Sequence, residues 1–208
     1  MRSAAICALV ACVSGLLLAP SAPQTFEIDP SWPRPLPDKW IIGRTGSICA
    51  DAHDHLIVTN RRDITEEEAE TSLQAPSVLI FDRAGNLAHS FGDSNTVPGV
   101  IHGCFADHEN NIWVTGNGDG IVQKWSHDGK LLLQIGKRGV FDTSNGTAKG
   151  ERLNAGRSQF FNPAGVVVDP ANGDVYVADG YGNRRGPVLN RQGQCLRQRA
   201  RPAPKDET

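Results

Sequence analysis

Long apolar runs are almost missing from this 208-residue chain. After Ala4–Ala19 none approaches the length of a bilayer span, which excludes a multi-span membrane protein. Neither sign of charge dominates, since the formal net charge is −2, but that average hides a split. Through Asn183 there are 14 Lys/Arg against 21 Asp/Glu; from Arg184 onward there are 7 against 2. An acidic body gives no reason to propose a nucleic-acid surface. The basic end, Arg197-Gln198-Arg199-Ala200-Arg201-Pro202, has no aromatic residue to stack a base and reads as leading into a solvated tail, residues 201–208. Hydrophobic residues at 39% exclude a strongly disordered chain, and 22 Gly with 13 Pro point to a β protein punctuated by turns.

Cysteine is scarce and unevenly placed. Arg2 followed by the Ala4–Ala19 run has the form of a signal peptide covering residues 1–21, with cleavage after Ser21. The alternative is lipidation at Cys12 of the sequence Leu9-Val10-Ala11-Cys12; either way the protein is exported, to a periplasmic or extracellular space. Cys49, Cys104 and Cys195 then remain, an odd number that implies no self-contained disulfide framework. A Cys49–Cys104 bridge is open to an oxidising compartment. The expected state is nevertheless the free thiol packed as a small hydrophobe.

After a Pro-rich lead-in, residues 22–46, one pattern occurs three times between residues 47 and 200. The copies span 47–92, 100–136 and 163–200. Each opens on a short apolar strand ending in Asp (Asp51, Asp107, Asp169) and continues with a β-branched run (Leu56–Asn60, Asn111–Thr115, Val175–Asp179). Later in each copy a turn glycine recurs: Gly85, Gly129 and Gly193. Four short runs separated by Asp, Asn and Gly turns are one blade of a β-propeller, so the fold class is all-β, with about three four-stranded blades and an incomplete ring. Thr65-Glu66-Glu67-Glu68 is a capping box that predicts a short surface helix inside blade 1. Residues 137–162 form a Gly-, Ser- and Asn-rich loop whose length marks it as functional or mobile; it carries the sequon Asn145-Gly146-Thr147.

In such a blade the start of strand one and the end of strand two lie on the same face. His102 holds the first offset in blade 2, while Arg61 and Tyr181 hold the second in blades 1 and 3, so the three are expected to converge near the axis. His53, His55, His108 and His127 fall in turns at the other face and read as exposed polar residues.

Asn60-Arg61-Arg62-Asp63, Ile101-His102-Gly103-Cys104 and Val177-Ala178-Asp179-Gly180-Tyr181-Gly182-Asn183-Arg184 together carry a resemblance. The chain resembles, over roughly Phe26 to Arg185, the NHL-type six-bladed propeller of peptidyl-α-hydroxyglycine α-amidating lyases (peptidylamidoglycolate lyases). That resemblance implies a secreted carbon–nitrogen lyase releasing a peptide amide and glyoxylate. It implies His102 as a zinc ligand, Tyr181 as the base for the substrate hydroxyl and Arg61 as the cation for carboxylate or oxyanion. It also implies that the backbone carbonyls of Ile48 and Cys104 help hold a structural calcium. Catalytic zinc takes about three protein ligands, and the family's other two histidines would come from later blades, which this chain lacks. The competing readings are a propeller-type module binding peptide, glycan or protein, and an inactive fragment.

Two further expectations concern completeness. In the third copy Gly186 and Pro187 occupy strand positions, so its outer half is expected to be poorly formed. Trp40-Ile41-Ile42-Gly43 reads as a fourth-strand ending that closes a ring against a last blade. With that blade missing, the chain reads as a truncated or frame-shifted form needing further blades or an oligomer.

Overall fold

The computed structural model describes residues 25–200, so the expected signal peptide, the Cys12 anchor and the 201–208 tail lie outside the described residues. The chain from Ser31 onward is one compact unit. A 3-10 turn, Pro37–Lys39, leads into β1 (Trp40–Ile41). Blade 1 contains β2 (Thr45–Ala50) and β3 (Leu56–Asn60), an insertion with α1 (Glu66–Thr71) and β4 (Leu73–Gln74), then β5 (Val78–Phe81) and β6 (Leu87–Phe91). Blade 2 is β7 (Ile101–Ala106), β8 (Ile112–Gly116), β9 (Ile121–Trp125) and β10 (Leu131–Ile135). Blade 3 is β11 (Gly165–Val168), β12 (Val175–Ala178), β13 (Arg185–Leu189) and β14 (Cys195–Ala200). Each blade is a four-stranded antiparallel sheet in chain order, the propeller blade expected, and the described residues form an arc that does not close into a ring.

Strand alternation explains how the blades stack. Successive side chains of β8 point to opposite faces. Ile112 and Val114 therefore join Ile57, Val78 and Ile80 in a core between blades 1 and 2, while Trp113 joins Val166, Val168, Val175 and Leu189 between blades 2 and 3. The predicted helix forms as α1, with Thr65 and Glu68 completing the capping box.

The lead-in behaves differently from the expectation. β1 does not act as the fourth strand of a closing blade; it pairs in parallel with β4 of the blade 1 insertion. Trp32, Leu36, Trp40 and Ile42 lie against Val58, Leu79 and Phe81 and cover the outer face of blade 1. On the far side of the arc, Val167 and Tyr176 of blade 3 are 51% and 36% exposed.

The outer half of blade 3 is also better formed than expected. β13 pairs with β14 along its length, including Gly186 with Arg199 and Pro187 with Gln198. The cost of Gly and Pro is confined to the β12 side. There the ladder holds at Val175–Leu189 and Tyr176–Val188, then breaks until the bridge between Asp179 and Arg185. Proline's missing N–H thus falls at a gap in the ladder.

Cys49 and Cys104 form a disulfide, correcting the free-thiol expectation. They come from the inner strands of adjacent blades, offset by one register step. Cys49 lies opposite Ile57 and Cys104 opposite Val114, yet their Cα atoms are 5.7 Å apart. That separation suits a bridge. Cys195 is free. Disulfides persist in oxidising compartments, in agreement with an extracellular setting. No helix among the described residues is long and apolar enough to cross a membrane.

The aspartate that ends each inner strand caps the turn that follows. One carboxylate oxygen of Asp51 accepts the N–H groups of His53 and His55; that of Asp107 accepts those of Glu109 and Asn111. The second oxygen of Asp107 accepts the Trp113 indole N–H at 2.8 Å and lies 3.3 Å from the Lys124 ammonium. Burial pushes this carboxyl up, but those bonds and the Lys124 charge outweigh it and hold it below the usual carboxylate range. A folded-state pKa below the unfolded one stabilises the fold above about pH 4, and the contribution fades as pH falls further. Asp107→Asn is expected to cost about 2 kcal/mol at neutral pH. Urea titrations from neutral to acid pH should show the variant's deficit shrinking; a deficit constant with pH would contradict this account.

Candidate functional site

Arg61, His102 and Tyr181 come from three blades on one face of the arc, where the rings of His102 and Tyr181 touch and Arg61 reaches the backbone beside His102. His102 is the second residue of β7, and its ring meets that of Tyr181 edge-on with centroids 5.0 Å apart. Arg61 follows β3 and donates from Nε to the carbonyl of Ile101, the residue before His102, at 3.1 Å. Tyr181 is 67% exposed and stands on the turn after β12.

Backbone geometry fixes the imidazole. His102 Nδ1 lies 3.0 Å from the Ala164 carbonyl oxygen, which can only accept, so Nδ1 carries a proton and the neutral ring has its lone pair on Nε2. A ring held in this way presents Nε2 to a metal or a substrate donor. The close approach of β7 and β11 makes this contact possible and explains Gly103. A Cβ there would lie 2.7 Å from the same Ala164 oxygen. Beside His102 a groove of about 670 Å³ runs along Ser47, Cys104, Val167, Tyr176 and Gly186.

The turn bearing Tyr181 is held from below by a buried ionic network. Arg185 Nε donates to Asp179 Oδ2 at 3.0 Å, and Nη1 lies 3.1 Å from Asp142 Oδ2; the three side chains are 0%, 0% and 4% exposed. Asn183 donates to both carboxylates, and the Phe161 N–H donates to Asp179. Burial pushes the Asp179 carboxyl above its ordinary value, against the pull of Asn183, Phe161 N–H and Arg185. Asp142 also accepts the N–H groups of Ala155 and Gly156, so the 137–162 loop is a packed support for the Tyr181 turn. Asp142 was missed from the sequence because nothing local marks it among the Gly, Ser and Asn around it.

On this face His102 supplies one imidazole. Among the described residues, three ligating groups gather at Asp51, His55 and His127 on the opposite face. A three-ligand zinc centre is therefore not built at His102 by these residues. Ile48 and Cys104 do hold equivalent register positions, opposite Val58 and Val114 on the inner strands. Calcium takes about 6–8 oxygen ligands, and two carbonyls do not make that set. The histidines expected as exposed turn residues divide: His53 and His108 are exposed, whereas His55 and His127 are half-buried against Asp51.

Comparison with known proteins adds three findings. An NHL repeat model matches residues 160–185, the stretch that carries Tyr181 together with Asp179, Asn183 and Arg185 of its supporting network. The chain is 24% identical over 188 residues to peptidyl-glycine alpha-amidating monooxygenase B of Xenopus laevis, covering 83% of this chain and 19% of that protein. Monooxygenase A of the same organism gives 23% over 187 residues, 83% and 18%. The chain thus spans about a fifth of the length of these curated relatives. Among solved structures, a streptogramin B lyase aligns with 14% identity and a TM-score of 0.41, over 80% of this chain and 56% of its own. The chain is a set of propeller-type blades that includes an NHL repeat and is distantly similar to amidating monooxygenases.

Proposed function

We propose that the face bearing Arg61, His102 and Tyr181 binds peptides ending in α-hydroxyglycine, in an exported propeller of the peptidylamidoglycolate lyase type. The observation that carries the reading is the contact of the His102 and Tyr181 rings from two blades, with Arg61 of a third anchored to the carbonyl of Ile101 next to His102. Arg61 keeps Nη1 and Nη2 without a protein partner among the described residues, and a guanidinium fork suits the substrate's terminal carboxylate. In this reading Tyr181 Oη takes the proton of the α-hydroxyl. As that proton leaves, the oxygen's electrons form the C=O of glyoxylate, the C–N bond breaks, and the amide nitrogen takes the same proton back from Tyr181 Oη, so that no proton is gained or lost overall. Zinc belongs to the reaction of the family this resembles, but one imidazole does not hold it here, so no step is routed through it.

The test is binding and turnover of an N-acyl-α-hydroxyglycine by the full chain, with glyoxylate measured. Arg61→Ala is expected to weaken binding about tenfold or more, the loss of a charge-assisted pair. Tyr181→Phe should leave binding near wild type and slow release by about 100-fold or more, the scale of lost proton transfer. If neither binding nor release exceeds the protein-free control, the reading fails. The single imidazole favours a second reading, a non-catalytic peptide-binding module, which would show binding equal in wild type and Tyr181→Phe with no glyoxylate.

A further inference from the structure

We propose that Asp51, His55 and His127 form a zinc-binding site that clamps blade 1 to blade 2 on the face opposite His102. Asp51 Oδ2 lies 2.8 Å from His55 Nδ1 and 2.9 Å from His127 Nε2, and all three ligand atoms lie within 4.8 Å of one another. In a tetrahedral zinc site with bonds of about 2.0–2.1 Å, ligand atoms stand about 3.3 Å apart. Asp51 Oδ2 therefore needs to part from each ring nitrogen by only about half an ångström, and the two ring nitrogens, within 4.8 Å of each other, need to settle at the same spacing. Two imidazoles and one carboxylate are a donor set suited to a first-row divalent cation with one position left to water.

The repeat supplies an internal control. Asp107 is the counterpart of Asp51 in blade 2, and its second oxygen is occupied within its own blade by Trp113 and Lys124, groups that cannot ligate a cation. The counterpart of His127 in blade 3 is Arg191, which reaches back to Glu109 of blade 2 at 3.8 Å. The crossing from one blade's turn to the preceding blade is thus a general feature of the arc. Only at the junction of blades 1 and 2 are the residues in these positions metal ligands. Asp51 is already fixed for the role: its Oδ1 is tied by the His53 and His55 N–H groups and its side chain is fully buried. His55 and His127 are 27% and 30% exposed, which leaves a path for the ion.

The experiment is Zn2+ titration of the full chain, freed of metal by chelation, using calorimetry and thermal unfolding. Wild type is expected to bind one equivalent and to unfold at a higher temperature with Zn2+. His127→Ala, at a half-exposed turn position, should stay folded by circular dichroism and lose about tenfold or more in affinity, since loss of even an outer partner costs about 10–100-fold. His55→Ala should behave likewise, and His102→Ala should bind as wild type. Failure of wild type to bind Zn2+ would overturn the proposal and leave the rings as braces for Asp51. Binding unchanged in His127→Ala but lost in His102→Ala would overturn it by moving the ion to the other face.

Discussion

Replacing Arg185 by alanine is expected to cost about 3–5 kcal/mol, the range for breaking a buried ion pair from one side. Its guanidinium holds together elements far apart in the chain. Besides Asp179 and Asp142 it donates to the carbonyls of Gly156 and Gln159 at 2.7 and 2.6 Å and to Gln198 of β14 at 3.1 Å. Alanine leaves two buried carboxylates facing each other with only Asn183 between them. The sign of the pH response separates this from loss of packing. Burial already pushes the Asp179 carboxyl above its ordinary value, and without the Arg185 cation that opposed it protonation of Asp179 favours the fold further. The variant's deficit should therefore shrink as pH is lowered from about 7 to about 5. Urea unfolding followed by tryptophan fluorescence measures it; a deficit that is pH-independent would show that packing, not charge, is at stake. Arg184→Ala, on an exposed side chain next door, is expected to stay within about 0.5 kcal/mol of wild type.

Loss of the Cys49–Cys104 bridge carries the second large effect. It closes a loop of 55 residues, and the chain entropy removed from the unfolded state by such a loop is worth about 4 kcal/mol. A Cys49→Ala, Cys104→Ala double variant should unfold at a lower urea concentration by that amount. Addition of reductant should lower the wild-type midpoint and leave the variant's unmoved. Cys195→Ser serves as control, since its thiol is unbridged. Equal midpoints with and without reductant in wild type would show that the bridge adds no stability.

The blades were legible in the sequence because each repeats its chemistry at fixed offsets. Asp51, Asp107 and Asp169 end the inner strands, and Gly85, Gly129 and Gly193 adopt positive φ in the outer turns. The convergence of Arg61, His102 and Tyr181 was legible for the same reason, since strand direction alone sets which end of a strand lies on which face. What stayed hidden depends on how blades are staggered. The Cys49–Cys104 bridge joins residues one register step out of line, and His127 reaches Asp51 across a separation of 76 residues. A repeat pattern says which positions are equivalent, not which positions of neighbouring copies touch. Pro187 misled for a related reason: composition shows a missing donor but not that the ladder on its β12 side is broken there, while it still pairs with Gln198 of β14.

The arc has unlike ends, and this bears on how it can associate. Trp32, Leu36, Trp40 and Ile42 cover the blade 1 face, while Val167 and Tyr176 stand open on blade 3. Head-to-tail stacking of copies, the arrangement that grows into open filaments, needs a bare surface at each end, and the described residues offer one. That surface is the face on which a two-fold pair or further blades would stack. The lead-in thus acts as a chain stopper, giving the arc a direction in which it can be extended and another in which it cannot.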